Sequence, residues 1–181
     1  EEAGDKKWQT NNLINISNIY YETYGKGKPI ILLHGGILGS TIEMASFINL
    51  LKDTHLVIAI SSRGHGKSEV GTEPITFEQK ALDILAVMNA MSLKESMILG
   101  FSDGAYAGLK LASMYPDRVT RLVAIGAGEL IPGLRKVRFE PSEILKMDEK
   151  YWAQQLSLSP QPEKIARFWI NQADLYNSIT I

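Results

Sequence analysis

The sequence predicts an α/β fold, a mostly parallel sheet with helices on both faces. Three observations carry that prediction. Short apolar runs alternate with longer stretches of helical spacing. The runs are apolar at every position, as strands buried on both faces require. Each run ends in a loop rich in glycine and small polar residues. In open parallel sheets the ligand site lies beyond the carboxyl ends of the strands, which is where all these loops would gather.

Taken in order, residues 1–12 are polar and are expected to be loose, with Trp8 as an anchor. Ile14, Ile16 and residues 19–24 suit extended segments closed by the turn Gly25-Lys26-Gly27-Lys28-Pro29. Residues 29–33 form a short buried strand ending at His34-Gly35-Gly36, and residues 44–51 have helical spacing. A second buried strand at 56–60 leads into a glycine-rich loop at 61–71. Residues 77–91 form a helix with one core face, on which Met88 and Met91 are core filler. A third strand at 97–101, a helix at 104–115 stopped by Pro116, and a fourth strand at 122–125 follow. The boundary falls after Ile131. Residues 1–131 carry the sheet, whereas residues 132–181 show no buried strand and read as two or three amphipathic helices, roughly 142–156 and 163–176, split by Pro160 and Pro162. Phe139, Tyr151, Trp152, Phe168, Trp169 and Tyr176 gather there, which suits a helical cap over the sheet's edge; ordinary core helices are the alternative.

Composition narrows the function. The 181 residues are 45% hydrophobic and 22% charged with net charge −1, enough for one core and without the basic excess of a nucleic-acid binder. No stretch approaches the roughly 18–20 apolar residues of a membrane span. Without cysteine there are no disulfides or thiolate metal sites, and His34, His55 and His65 are too scattered to suggest a metal. No cofactor is expected. The Gly66-Lys67-Ser68 end of the 61–68 loop lacks the first glycine of a phosphate-binding loop, since Ser61 stands there. Localisation stays open between the cytoplasm, which is preferred, and export with a signal peptide already removed.

The informative corner is Gly100-Phe101-Ser102-Asp103-Gly104, a G-x-S-x-G pattern between a buried strand and a small-residue helix. A strand that turns at once into a helix strains the central residue, and side chains two positions either side would collide, so Gly100 and Gly104 have a steric cause. The turn holds the Ser102 hydroxyl above the sheet as a candidate nucleophile. The helix N-terminus offers the Asp103 N–H to a developing oxyanion. His34-Gly35-Gly36 supplies a second candidate donor, the N–H of Gly36, with that of Ile37 as the runner-up; a plain strand-end turn is the alternative. The Asp103 side chain is expected to turn away and cap the helix.

Four stretches, "PIILLHGG" (29–36), "SSRGHGKS" (61–68), "GFSDGA" (100–105) and "YPDRVTRLV" (115–123), resemble in this order the α/β-hydrolase superfamily. The resemblance implies a three-layer sandwich with a helical cap, present here incompletely, without its last core strands. It implies a serine hydrolase of carboxylic esters or related acyl compounds, acting through an acyl-enzyme on Ser102, with a histidine base oriented by an acid. His34 would be structural, and a departure stands at Ser61, where the family usually has an acid. The family order is serine, acid, histidine, yet all three histidines here precede Ser102. His65, on the site's side of the sheet, is a remote candidate for the base. Glu129 occupies the place where a minority of the family puts the acid; a solvated loop carboxylate is the alternative. The chain by itself is therefore expected to be nearly inactive. A non-catalytic protein that binds a small apolar ligand or a partner in the same pocket is the competing expectation. Missing strands would leave a sheet edge open to association with another copy.

Overall fold

The structure, a computed structural model, describes residues 5–10, 18–37, 39–134 and 136–179. Six strands lie in one sheet: β1 (Asp5–Thr10), β2 (Asn18–Tyr24), β3 (Lys28–Leu33), β4 (His55–Ile60), β5 (Ser96–Phe101) and β6 (Val119–Ile125), in the order β1-β2-β4-β3-β5-β6. The strands β4, β3, β5 and β6 are parallel, with Ile31 level with both Ile58 and Ile98, and Ile98 level with Leu122. The first two strands run antiparallel to their neighbours. Between them run α1 (Ala45–Leu51, entered by a 3-10 turn at Thr41–Met44), α2 (Phe77–Ala90) and α3 (Asp103–Met114), and α4 (Pro141–Met147), α5 (Glu149–Leu158) and α6 (Pro162–Ser178) follow.

Because strand side chains alternate, the apolar runs of β3, β4 and β5 feed two cores. Ile31, Leu33, Ile58, Ile60 and Ile98 pack with α2 and α3 through Phe77, Ile84, Met88 and Leu111. Ile30, Leu32, Val57 and Ala59 pack on the opposite face with Met44 and Ile48. Such side chains contribute about 1.5–3 kcal/mol each on full burial, so both layers are needed to hold the sheet. Helix α3 packs closely, since a Cβ on Gly108 would lie 3.0 Å from the Leu122 side chain and 3.2 Å from Ile98.

Several expectations need correction. Residues 5–10 are not loose; they pair as an edge strand, Trp8 opposite Tyr20. An edge strand needs only backbone partners and tolerates lysines, so its sequence, DKKWQT, lacks the apolar signal of a central strand. Ile14 and Ile16 lie outside the described residues. The helix expected over 142–156 is two helices. Asp148 leaves helical geometry (φ −153°, ψ 88°), and its Oδ1 accepts the Tyr151 N–H at 2.9 Å, starting α5. A third concerns Asp103, whose side chain does not cap α3.

Helices α4–α6 share a cluster of Ile144, Trp152, Ile165, Phe168 and Trp169, with the two indoles 4.9 Å apart. They lie against the loops beyond the carboxyl ends of the strands. Phe168 meets the backbone of Gly64, and its ring stands edge-on to His65 at 5.5 Å. At the other end of the sheet order, the expectation of a fourth buried strand fails: β6 exposes Val123 (52%) and Ile125 (38%), because among the described residues no strand lies beyond it, and α3 packs on the face of Leu122 instead.

Candidate active site

Ser102 sits between β5 and α3 at φ 49°, ψ −112°, a backbone conformation costly for any residue but glycine. The surroundings hold it there. Its N–H donates to the Ile125 carbonyl at 2.8 Å, and its carbonyl accepts the Tyr106 N–H at 3.1 Å. The flanking glycines are sterically required: a Cβ on Gly100 would lie 2.5 Å from the Gly104 carbonyl oxygen, and one on Gly104 would strike the carbonyls of Leu33 and His34. Ser102 is partly exposed and makes no bond that caps α3. The first turn of this 12-residue helix therefore presents N–H groups and a positive dipole end beside the hydroxyl.

A cavity of about 460 Å³ opens over Ser102, with Gly36, Ile37, Asp103 and Tyr106 on one side and Phe139, Ile144, Met147 and Tyr176 on the other. The expected donor loop is at its edge. A Cβ on Gly36 would lie 3.2 Å from Asp103 Cβ, so the two backbones approach closely. The Ile37 N–H is already committed, donating to His65 Nε2 at 3.1 Å, which leaves Gly36 as the better candidate of the two. Gly35 donates its N–H to Glu43 Oε2 at 2.8 Å.

The histidines are braces. His34 is fully buried, with Nδ1 2.6 Å from the Gly35 carbonyl and Nε2 accepting the Ser62 N–H at 2.9 Å. His65 places Nδ1 2.9 Å from the Arg63 carbonyl. Both rings thus tie the loop after β3 to the loop after β4, using both nitrogens. Burial, the neighbouring His34 and Lys80 push the His65 pKa down to about 3, and burial lowers that of His34. Both are neutral acceptors at pH 7. His55 starts β4, at the opposite end from Ser102, with Nδ1 2.8 Å from the Thr54 hydroxyl. Glu129 is exposed on the loop after β6. No group of three or more potential metal ligands occurs among the described residues.

Asp103 is buried, and its Oδ1 accepts from Lys80 Nζ at 2.5 Å and from the Tyr176 hydroxyl at 2.5 Å. Burial alone would raise its pKa; the Lys80 charge and the bonds from Lys80 and Tyr176 outweigh that and hold it low. A buried ammonium offers a stronger bond than the N–H groups of the aspartate's own helix, so the capping expectation fails. The place of Ser61 has a related explanation. Arg63 takes its carboxylates from elsewhere, Asp83 on α2 and Glu73.

A profile of the alpha/beta hydrolase fold family matches residues 28–171, most of the sheet and the helices above it. The chain belongs to this family. Its relatives in the family include the serine hydrolase BPHL of Homo sapiens, 32% identical over 123 residues, 65% of this chain and 42% of that protein. Another is the cis-3-alkyl-4-alkyloxetan-2-one decarboxylase of Shewanella oneidensis, 29% identical over 118 residues, 63% of this chain and 37% of that protein. The chain thus matches less than half the length of either. Among solved structures, a "probable hydrolytic enzyme" of Pseudomonas aeruginosa aligns over 100% of this chain and 69% of its own, with TM-score 0.80 and 18% identity, a likeness of fold.

Sequence reasoning missed Lys80 and Gln172 and placed Tyr176 only among the aromatics of the expected cap. One signal was available. Lys80 falls three residues after Phe77 and four before Ile84, inside the apolar face of α2, where a lysine needs a buried partner.

Proposed function

We propose that this alpha/beta hydrolase chain carries the nucleophilic centre of a serine hydrolase of carboxylic esters or related acyl compounds, with Ser102 forming the acyl-enzyme. The observation that carries the reading is the strained, positive-φ Ser102 at an uncapped helix N-terminus, opening into a cavity of about 460 Å³. In this reading Ser102 Oγ attacks the acyl carbonyl. The hydroxyl proton passes to a general base, the N–H groups of Gly36 and Asp103 receive the developing oxyanion, and the alcohol leaves with that proton as the same group returns it. Ile37, Tyr106, Phe139, Ile144 and Met147 give the cavity an apolar part that suits an acyl or alcohol group, while Arg138, Glu140 and Glu143 also line it. Helices α4–α6 are the cap that shapes this lining. The relative named a serine hydrolase supports the nucleophile assignment. The decarboxylase relative shows why the leaving group stays general.

The base is the part these residues do not supply. The rings of His34 and His65 are engaged at both nitrogens, and His55 lies at the wrong end of its strand. We therefore place the base outside the 181 residues and Glu129 as a candidate acid. A triad without its base loses several orders of magnitude, so residues 1–181 alone turn over an aryl ester barely above background. The test is covalent. A fluorophosphonate should label Ser102 in the intact protein and spare Ser102→Ala, read by peptide mass. Failure to label a folded protein sinks the hydrolase reading and favours a second one, a pocket that binds a small apolar ligand without chemistry; the engaged histidines are the observation behind it. Among partners, the open β6 edge suits a second copy, which size-exclusion chromatography across a dilution series would reveal.

A further inference from the structure

Helix α6 meets the turn at Ser102 through a charged cluster. Lys80, 3% exposed, sends Nζ to Asp103 Oδ1 at 2.5 Å and to Gln172 Oε1 at 2.9 Å. The Tyr176 hydroxyl donates to the same Oδ1, and Nζ also lies 5.1 Å from the Phe77 ring centre and 5.8 Å from that of Tyr176. Gln172 and Tyr176 belong to α6, Lys80 to α2, and Asp103 begins α3. The cluster lies directly against the donor loop. A Cβ on Gly36 would strike the Tyr176 hydroxyl and lie 3.1 Å from Gln172 Nε2. Asp103 Oδ2 and Gln172 Nε2 are buried without a hydrogen-bond partner, so the cluster is held by charge rather than by complete bonding.

A carboxylate on Asp103 is a puzzle in its place. The same residue is to offer its N–H to a forming oxyanion, and a bare negative charge one side chain away would oppose that charge in a poorly screened site. We propose that Lys80 and Tyr176 are positioning residues for Ser102: they neutralise the Asp103 carboxylate from beneath and, by the same contacts, clamp α6 over the pocket. The electrostatic half rests on the serine-hydrolase reading. The clamp half stands without it, because it concerns only where α6 docks.

The test uses the intact protein and two readouts, the second-order rate of fluorophosphonate labelling at Ser102 and amide hydrogen exchange along α6. Lys80→Met should slow labelling about ten-fold or more and speed α6 exchange by a similar factor, since the carboxylate loses its counter-charge and the helix loses the Lys80–Gln172 tie, keeping only the bond from Tyr176. Adding Asp103→Asn to Lys80→Met should bring labelling back to within about three-fold of wild type, a rescue that a packing role for Lys80 would not produce. Tyr176→Phe keeps the ring stacked on Phe77 and should slow labelling about three-fold with faster α6 exchange. Wild-type labelling together with unchanged α6 protection in Lys80→Met overturns the proposal, as does a double variant no faster than Lys80→Met. If Lys80→Met fails to fold, Tyr176→Phe decides: wild-type values in both readouts overturn the proposal. If the wild-type protein is not labelled at all, the serine reading has failed, and α6 exchange in Lys80→Met still decides the clamp.

Discussion

Two buried cations, Arg63 at 1% exposure and Lys80 at 3%, each meet a carboxylate from another element, and the two clusters are finished differently. Arg63 sends Nε and one terminal nitrogen to the two oxygens of Asp83 at 3.0 and 2.8 Å, and its other terminal nitrogen to Glu73 at 2.7 Å and the Val70 carbonyl at 3.1 Å. Gln79 adds a bond to Asp83 at 3.2 Å. The planar fork of a guanidinium matches a carboxylate edge, so both partners are satisfied together. Lys80 is a point charge. It and Tyr176 converge on one oxygen of Asp103, and the other oxygen is left without a partner. The complete cluster braces a loop, and the incomplete one sits beside Ser102.

That contrast can be broken experimentally, beginning with the bigger loss. Arg63→Met should cost about 3–5 kcal/mol in urea unfolding, because Asp83 is left buried, and Glu73 half-buried, without their cation. A loss below about 1 kcal/mol would mean that the two carboxylates relax into water. Acid should come next. His65, between the two clusters, is neutral in the fold with a pKa of about 3 against about 6.5 when unfolded. The unfolded chain therefore binds more protons than the native one between those values, and stability is full above pH 6.5 and falls as pH drops toward 3. The loss from this residue at pH 4 should be at most about 3 kcal/mol. His65→Gln, which retains an acceptor for the Ile37 N–H but does not titrate, should flatten the profile. Lys80→Met should cost about 2 kcal/mol, less than Arg63→Met, since Tyr176 still donates to Asp103. The smallest effect belongs to the surface pair Lys110–Glu78, whose side chains are 31% and 51% exposed. Lys110→Ala should change stability by about 0.5 kcal/mol or less.

The parts of this molecule legible in the sequence are those where one residue type answers one local demand. The runs that became the interior of β3, β4 and β5 could be read because strands covered on both faces are apolar almost throughout, and β6 could be read from its apolar end at 122–125 although its residues are largely exposed. The turn at Ser102 could be read because only glycine fits at positions 100 and 104. The missed features depend on partners distant in sequence. Strand β1 exists because β2 offers a backbone ladder, not because DKKWQT is apolar. Lys80 meets Asp103 and Gln172 across 23 and 92 residues, and no local pattern announces that meeting. Asp148, by contrast, carried a local signal as a helix-starting residue, which the continuous periodicity around it concealed.

Ile37 has a consequence of its own. A β-branched residue at φ 60° is a genuine outlier, at a cost of about 1–2 kcal/mol. Isolated, that peptide would swing to ordinary extended geometry and carry the neighbouring Gly36 amide with it. His65 and the aromatic cluster on which Ile37 packs prevent the swing. The loop behaves as a cocked spring whose catch is an imidazole, so the direction in which Gly36 presents its amide is governed from the loop after a different strand.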